Sequence, residues 1–151
     1  MQRVFRVCRA IHARLDGEGA RRVGGRWNSP GRPVVYMADS VALAVLENLV
    51  HMRRDDFPVG YVVIGAVIPN SVRVLALEEF RAGKQDVPSQ TVGDRWIDSG
   101  RSAVLRVPSA VVPNEFIYLL NPRHSDFSLI VTEIAVPFRF DTRLFQKSAN
   151  E

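Results

Sequence analysis

The sequence predicts an α+β domain with several β-strands, few helices and long loops. Three observations carry this. Runs of β-branched and aromatic residues recur, the strongest being Tyr61-Val62-Val63-Ile64-Gly65-Ala66-Val67-Ile68. One segment, 41–52, instead repeats its apolar residues at helical spacing, at Val41, Ala42, Val45, Leu46, Leu49 and Met52. The stretch 8–33 holds Gly17, Gly19, Gly24, Gly25, Gly31, Pro30 and Pro33, which favour loops over regular structure. The chain has 151 residues, 46% of them hydrophobic and 24% charged, as expected for one globular domain with a real core. We place that domain at 1–145 and a polar tail at 146–151.

In chain order, residues 3–7 alternate polar and apolar and predict the first strand. A long loop follows over 8–33, with a short helix near 10–15; loops of such length in compact domains are usually functional. Residues 34–37 predict a second strand. Asp39 or Ser40 caps the helix that follows, and Asp55-Asp56-Phe57-Pro58 ends it. The run 61–68 predicts a central strand, Pro69-Asn70 a turn, and 72–75 another strand. Short helices are expected near 77–82 and 92–102, and strands at 103–107, 116–120 and 129–137. Val107-Pro108-Ser109 marks an interruption.

The bulk properties exclude several classes. The single cysteine, Cys8, permits no internal disulfide framework and suits a reducing cytoplasm, where we expect the protein. We expect no metal site, no secretory leader and no membrane span, since no apolar run reaches about 18 residues. The net charge of +4 and pI of about 9.8 suit an anionic partner. The arginines are scattered, with small groups at Arg21-Arg22 plus Arg26 and at Arg53-Arg54, unlike a basic tail. Little interleaving of aromatic and basic residues argues against a nucleic-acid groove.

Glu47 is the residue that most needs a reason. It lies in Val45-Leu46-Glu47-Asn48-Leu49, and on a helix it neighbours Leu43, Ala44, Val50 and His51. A carboxylate there is either paired structurally, with His51 or an arginine, or faces a cleft. Arg26, after Gly24-Gly25 and before Trp27, is either an ordinary loop arginine or a planar cationic fork for phosphate oxygens. Its surroundings form neither a Walker loop nor a dinucleotide fingerprint. Tyr36 ends an apolar run and serves either packing or stacking on a planar ring. His51 reads first as a surface or core histidine, Cys8 as a small buried hydrophobe with no ligand set beyond His12, and Trp27 and Trp96 as packing residues.

Five segments in order then matter together: Gly24-Gly25-Arg26-Trp27-Asn28, Val35-Tyr36-Met37-Ala38, Ala42-Leu43-Ala44-Val45-Leu46-Glu47, Val107-Pro108-Ser109-Ala110-Val111-Val112-Pro113-Asn114-Glu115, and Asn121-Pro122-Arg123-His124. Over roughly 3–140 the chain resembles the RES domain family, toxins of Xre–RES toxin–antitoxin modules. The resemblance implies an ADP-ribosyltransferase-like fold with a split, mainly antiparallel β-core and a cleft for NAD. It implies a toxin that consumes NAD by cleaving the nicotinamide–ribose bond, as a glycohydrolase or phosphorylase. The alternatives are an ADP-ribosyltransferase acting on a protein such as phosphoribosyl pyrophosphate synthetase, and a basic toxin that targets nucleic acid.

Carried over by position, Glu47, Arg26 and Tyr36 fall on catalytic positions. NAD binding falls to Arg6, Arg26, Tyr36 and Ser109, with Ser102 the other candidate for the family serine. Glu47 is then expected to support a ribosyl cation, Tyr36 to stack on nicotinamide, Arg26 and Arg6 to hold pyrophosphate, and Ser109 to meet a ribose or amide group. NAD is implied as substrate, with no tightly bound cofactor. The implied partner is an Xre-type antitoxin covering the cleft, with self-association in the complex and contact with nucleic acid only through the antitoxin.

Overall fold

The computed structural model describes residues 1–83 and 86–146. Of the expected tail, 147–151 lies outside the described residues; the Gln146 N–H still donates to the Arg54 carbonyl at 2.7 Å. The strands are β1 (Gln2–Arg9), β2 (Val35–Ala38), β3 (Tyr61–Ile68), β4 (Val74–Ala76), β5 (Val104–Pro108), β6 (Phe116–Leu120), β7 (Val131–Thr132) and β8 (Val136–Phe138). The helices are α1 (Glu18–Val23), α2 (Val41–Leu49), α3 (Leu77–Arg81) and α4 (Ser89–Ser99), with 3-10 turns at Ala10–His12, Ser125–Leu129 and Thr142–Leu144.

One sheet runs in the order β4-β5-β6-β2-β1-β3-β7, with β8 also on β3. Every pairing is antiparallel except β4 with β5, which α3 and α4 connect. The α+β class with a mainly antiparallel core is therefore as expected. β3 is flanked on both sides, but it lies next to the β7–β8 edge rather than at the middle of the sheet.

Period-two alternation divides the core between the two faces of the sheet. Val7, Leu105, Val107 and Leu119 pack with Leu43 and Leu49 of α2 and with Trp96 of α4. Val4, Met37, Ala66, Val104 and Leu120 form the second cluster on the opposite face. Trp96 is wholly buried and Trp27 nearly so, as the packing reading expected. Tyr61, Phe138, Phe140, Phe145 and Phe57 close one end in edge-to-face contacts with centroids 5.0–5.9 Å apart.

Several boundaries depart from the sequence expectation. Ser40, rather than Asp39, caps α2, its hydroxyl accepting from the Leu43 N–H at 3.1 Å. The helix stops at Leu49, so Met52 falls in the turn beyond it. Only three residues near 10–15 are helical, as a 3-10 turn. α1 lies within the expected loop, its short run enclosed by Gly17 and Gly24 at positive φ. α4 begins at Ser89, before Val92, and ends at Gly100 in the left-handed region, leaving Ser102 outside the helix. The expected strand 129–137 is two short strands on successive parts of β3, because Glu133 breaks the run to pair with Arg3.

The join between β1 and β2 positions the site. β1 pairs with β3 along its full length, from Gln2↔Ile68 to Arg9↔Tyr61. Its pairing with β2 consists of Phe5↔Ala38. Beyond that pair the strands part. The Asn48 side chain of α2 donates to the Val7 carbonyl at 2.8 Å, just past the point of separation. The sheet is thus split down its middle, and the split opens into a cleft.

Candidate functional site

The cleft has a volume of about 1100 Å³, just above the roughly 300–1,000 Å³ typical of ligand sites. β1 contributes Arg6 and Cys8, β2 contributes Tyr36 and Met37, α2 contributes Glu47 and His51, and the loop after α1 contributes Arg26. The structure therefore brings Arg6, Arg26, Tyr36 and Glu47 to one cavity, and adds His51 beside them. Ser109 stands just behind, on Glu47.

Glu47 is half-buried, and its Oε1 accepts a hydrogen bond from the Ser109 hydroxyl at 2.7 Å. The direction follows from the other contacts of that hydroxyl. The N–H groups of Val111 and Val112 both donate to Ser109 Oγ at 3.0 Å, so its proton is left for the carboxylate. Glu47 Oε2 has no protein hydrogen bond among the described residues. Neither structural partner considered for Glu47, His51 or an arginine, holds it. Ser102 is elsewhere: it is buried, accepts from Trp96 Nε1 at 2.9 Å and donates to the Val104 carbonyl at 2.8 Å. The expected ribose or amide contact of Ser109 meets a hydroxyl whose proton and lone pairs are already engaged within the protein.

Arg26 is exposed and occupies a tight turn in which the Gly25 N–H donates to the Asn28 carbonyl at 2.9 Å. It has no ion pair or hydrogen bond to protein among the described residues. A minority of the other arginines do, among them Arg3 with Glu133, Arg21 with Glu18, and Arg32 with Asp94 and Asp98. Arg6 is half-buried in the cleft wall and likewise has no ion pair among the described residues. Two guanidinium groups thus face the cavity without a carboxylate partner, and such groups attract phosphate oxygens.

Tyr36 presents its ring to the cleft and ties its hydroxyl to the Arg26 turn, accepting from the Trp27 N–H at 3.0 Å and donating to Asn28 Oδ1 at 2.6 Å. Burial pushes its phenol up to about 12. Burial also raises the Cys8 thiol, against a lowering pull from Arg6. Gly25 has no room for a side chain: a Cβ there would lie 2.7 Å from the Tyr36 hydroxyl oxygen.

Helix α4 braces the turn from outside. Gln90 Nε2 donates to the Asn28 and Gly25 carbonyls, Asp94 receives the Ser29 N–H and hydroxyl, and Gly93 lies directly against the Trp27 carbonyl. The sequence reading did not single out Asn28, Ser29, Gln90 or Asp94 for this work. For Asn28 a signal was present, since it closes the quoted Gly-Gly-Arg-Trp-Asn run; the others carry none. Asn121 and His124 are structural: Asn121 is buried and accepts from the Arg123 N–H, and His124 Nδ1 accepts from the Asp126 N–H. Among the described residues no group of three His, Cys, Asp or Glu side chains could hold a metal ion, and no helix is long and apolar enough to cross a membrane.

The RES domain family model matches residues 3–141. The chain belongs to the RES domain family. This RES domain is 38% identical over 140 residues to a protein of Pseudomonas putida named Toxin Res, covering 90% of this chain and 96% of the relative. It is 34% identical over 142 residues to the Prs ADP-ribosylating toxin of a Sphingobium species, covering 89% and 88%. A shorter match, 48% over 44 residues, links it to the NAD(+) phosphorylase MbcT of Mycobacterium tuberculosis, covering 28% of this chain and 24% of the relative. Its fold is similar to that in the crystal structure of the M. tuberculosis MbcT–MbcA toxin–antitoxin complex, with a TM-score of 0.66 over 91% of this chain and 84% of the other, at 21% identity.

Proposed function

We propose that this RES domain is the toxin of a toxin–antitoxin module and consumes NAD by breaking the bond between nicotinamide and ribose. The observation that carries the reading is the Glu47 carboxylate, fixed through one oxygen by Ser109, in a cleft shared with Tyr36 and with two arginines that have no carboxylate partner among the described residues. In the reaction, the bond from ribose C1′ to the nicotinamide nitrogen breaks and its electron pair leaves with nicotinamide, which departs neutral. Positive charge develops over the ribose, as in glycoside cleavage. Glu47 Oε2 faces that charge and holds it or a ribose hydroxyl. The Tyr36 ring stacks on nicotinamide, and Arg26 and Arg6 take the pyrophosphate. Ser109 acts by orienting Glu47. Attack at C1′ by a phosphate oxygen gives a ribosyl phosphate; attack by water gives ADP-ribose and a proton.

Transfer to a protein nucleophile is the second reading, favoured by the Sphingobium relative, which matches along most of the chain. The partner we propose is an Xre-type antitoxin that closes the cleft, and self-association of the toxin in that complex accompanies it. The relatives named as toxins and the complex of similar fold support a toxin with an antitoxin partner.

The test is product analysis of NAD incubated with purified protein, with and without phosphate and with cell lysate. Nicotinamide release is expected in each case. A ribosyl phosphate, ADP-ribose or labelled protein then identifies the acceptor. Glu47→Gln should lower kcat by about 10²–10³ while the protein stays folded. Wild-type turnover in that variant, or degraded RNA with intact NAD, overturns the reading.

A further inference from the structure

We infer that Asn28 is a positioning residue that engages the Tyr36 proton and makes the tyrosine hydroxyl a strut under the Arg26 turn, leaving the ring of Tyr36 as the part that meets ligand. The inference rests on the NAD reading for its kinetic consequences, but its geometry stands alone.

The Asn28 side chain is fully buried. Its Nδ2 donates to the carbonyls of Ala20 at 2.9 Å, Arg32 at 3.1 Å and Ser29 at 3.3 Å. Carbonyl oxygens only accept, so the amide nitrogen must face them, and the amide cannot be turned round. Oδ1 therefore faces Tyr36 and must receive a proton, which the Tyr36 hydroxyl supplies at 2.6 Å. The hydroxyl oxygen in turn accepts the Trp27 N–H. One amide thus joins the body of α1, both ends of the Ser29–Arg32 loop, β2 and the backbone next to Arg26.

Two consequences follow. Tyr36 has no proton free for a leaving group or nucleophile, and burial opposes its ionisation, so its hydroxyl is neither acid nor base at neutral pH. Arg26 has no side-chain partner among the described residues, so its placement comes from its turn. A looser turn makes the arginine pay ordering entropy when ligand arrives, which weakens binding more than it slows the bond-breaking step. Asn28 therefore acts on the KM for NAD, through Tyr36 and Trp27.

Tyr36→Phe and Asn28→Ala test this, singly and together, with two readouts. The first uses no NAD: exchange of the Trp27 backbone amide followed by NMR. Tyr36→Phe removes the acceptor and should speed exchange at Trp27 about fivefold or more, with core amides of β5 unchanged. The second is steady-state kinetics: KM for NAD should rise about fivefold in Tyr36→Phe, with kcat changing less than about threefold. Asn28→Ala should raise KM at least as much, and adding Tyr36→Phe to it should add little, as for residues acting in series. If Asn28→Ala fails to fold, Tyr36→Phe alone decides. Unchanged Trp27 exchange in Tyr36→Phe overturns the strut. A hundredfold loss of kcat at constant KM overturns it too, since the hydroxyl would then do chemistry. If the wild-type protein leaves NAD intact, the NAD reading has failed, and the exchange measurement still decides the strut.

Discussion

Replacing Ser109 by Ala tests whether the serine works through Glu47. The substitution removes one hydroxyl and three hydrogen bonds: the 2.7 Å bond to Glu47 Oε1 and the two 3.0 Å bonds from the Val111 and Val112 N–H groups. A hydrogen bond to a charged group is worth about 1.5–3 kcal/mol net, and the partly exposed setting places this one at the low end. The two turn N–H groups lie where water can replace Ser109, so they cost about 0.5–1 kcal/mol together. Total destabilisation of about 2–2.5 kcal/mol lowers Tm by roughly 4–10 °C in a domain of this size.

In catalysis, a carboxylate freed from its anchor loses about 1.4 kcal/mol of preorganised stabilisation, a tenfold fall in kcat. Ser109→Thr keeps a hydroxyl and should recover most of it. The assay is the initial rate of nicotinamide release against NAD concentration, beside a thermal melt of each variant. A kcat within twofold of wild type, with Tm lowered, would make Ser109 a turn residue only. A loss as deep as that of Glu47→Gln would mean that Ser109 touches substrate itself. Either result refutes the reasoning.

Other substitutions probe the frame of the site. Gly25→Ala keeps an ordinary backbone but sets a Cβ 2.7 Å from the Tyr36 hydroxyl oxygen and 3.0 Å from Asn28 Oδ1, so KM for NAD should rise about tenfold; steady-state kinetics at wild-type KM would sink that. Gly93→Ala gains helix propensity of about 1 kcal/mol, but its Cβ would fall 1.6 Å from the Trp27 carbonyl oxygen, so net destabilisation of about 2–3 kcal/mol is expected in urea unfolding. An unchanged midpoint there would show that α4 does not press on the Arg26 turn. Tyr36 predicts an alkaline effect. Its folded phenol ionises near 12 against an ordinary 10, so its contribution to stability is complete below pH 10 and is lost as pH rises toward 12. Phenolate absorbance of wild type against Tyr36→Phe reads this directly, and ionisation of Tyr36 near pH 10 would contradict the burial argument.

Local chemistry alone made much of this protein legible. Polar–apolar alternation marked β1, and β-branched, aromatic and other apolar runs marked β2, β3, β5 and β6, because such side chains fit a pleated, half-buried surface wherever it forms. A serine cap and apolar spacing marked α2, and with it the odd carboxylate at Glu47. Arg26 and Tyr36 stood out by residue type and neighbours, and the ordered segments pointed to the RES family. α1 escaped notice because it is too short to carry a period of its own, and 129–137 read as one strand because neither β7 nor β8 is long enough to show the break between them.

What only the tertiary structure decided are relations between distant residues. Ser109 meets Glu47 across 62 positions of chain, and no local pattern in either segment specifies that bond. Asn28 receives the Tyr36 proton because carbonyls of α1 and of the Ser29–Arg32 loop converge on its nitrogen. The cleft exists because β1 and β2 stay paired only at Phe5 and Ala38 and then part, a property of the sheet and not of either strand. Side-chain type and spacing are inscribed along the chain, whereas the donor or acceptor that each group meets is set by packing.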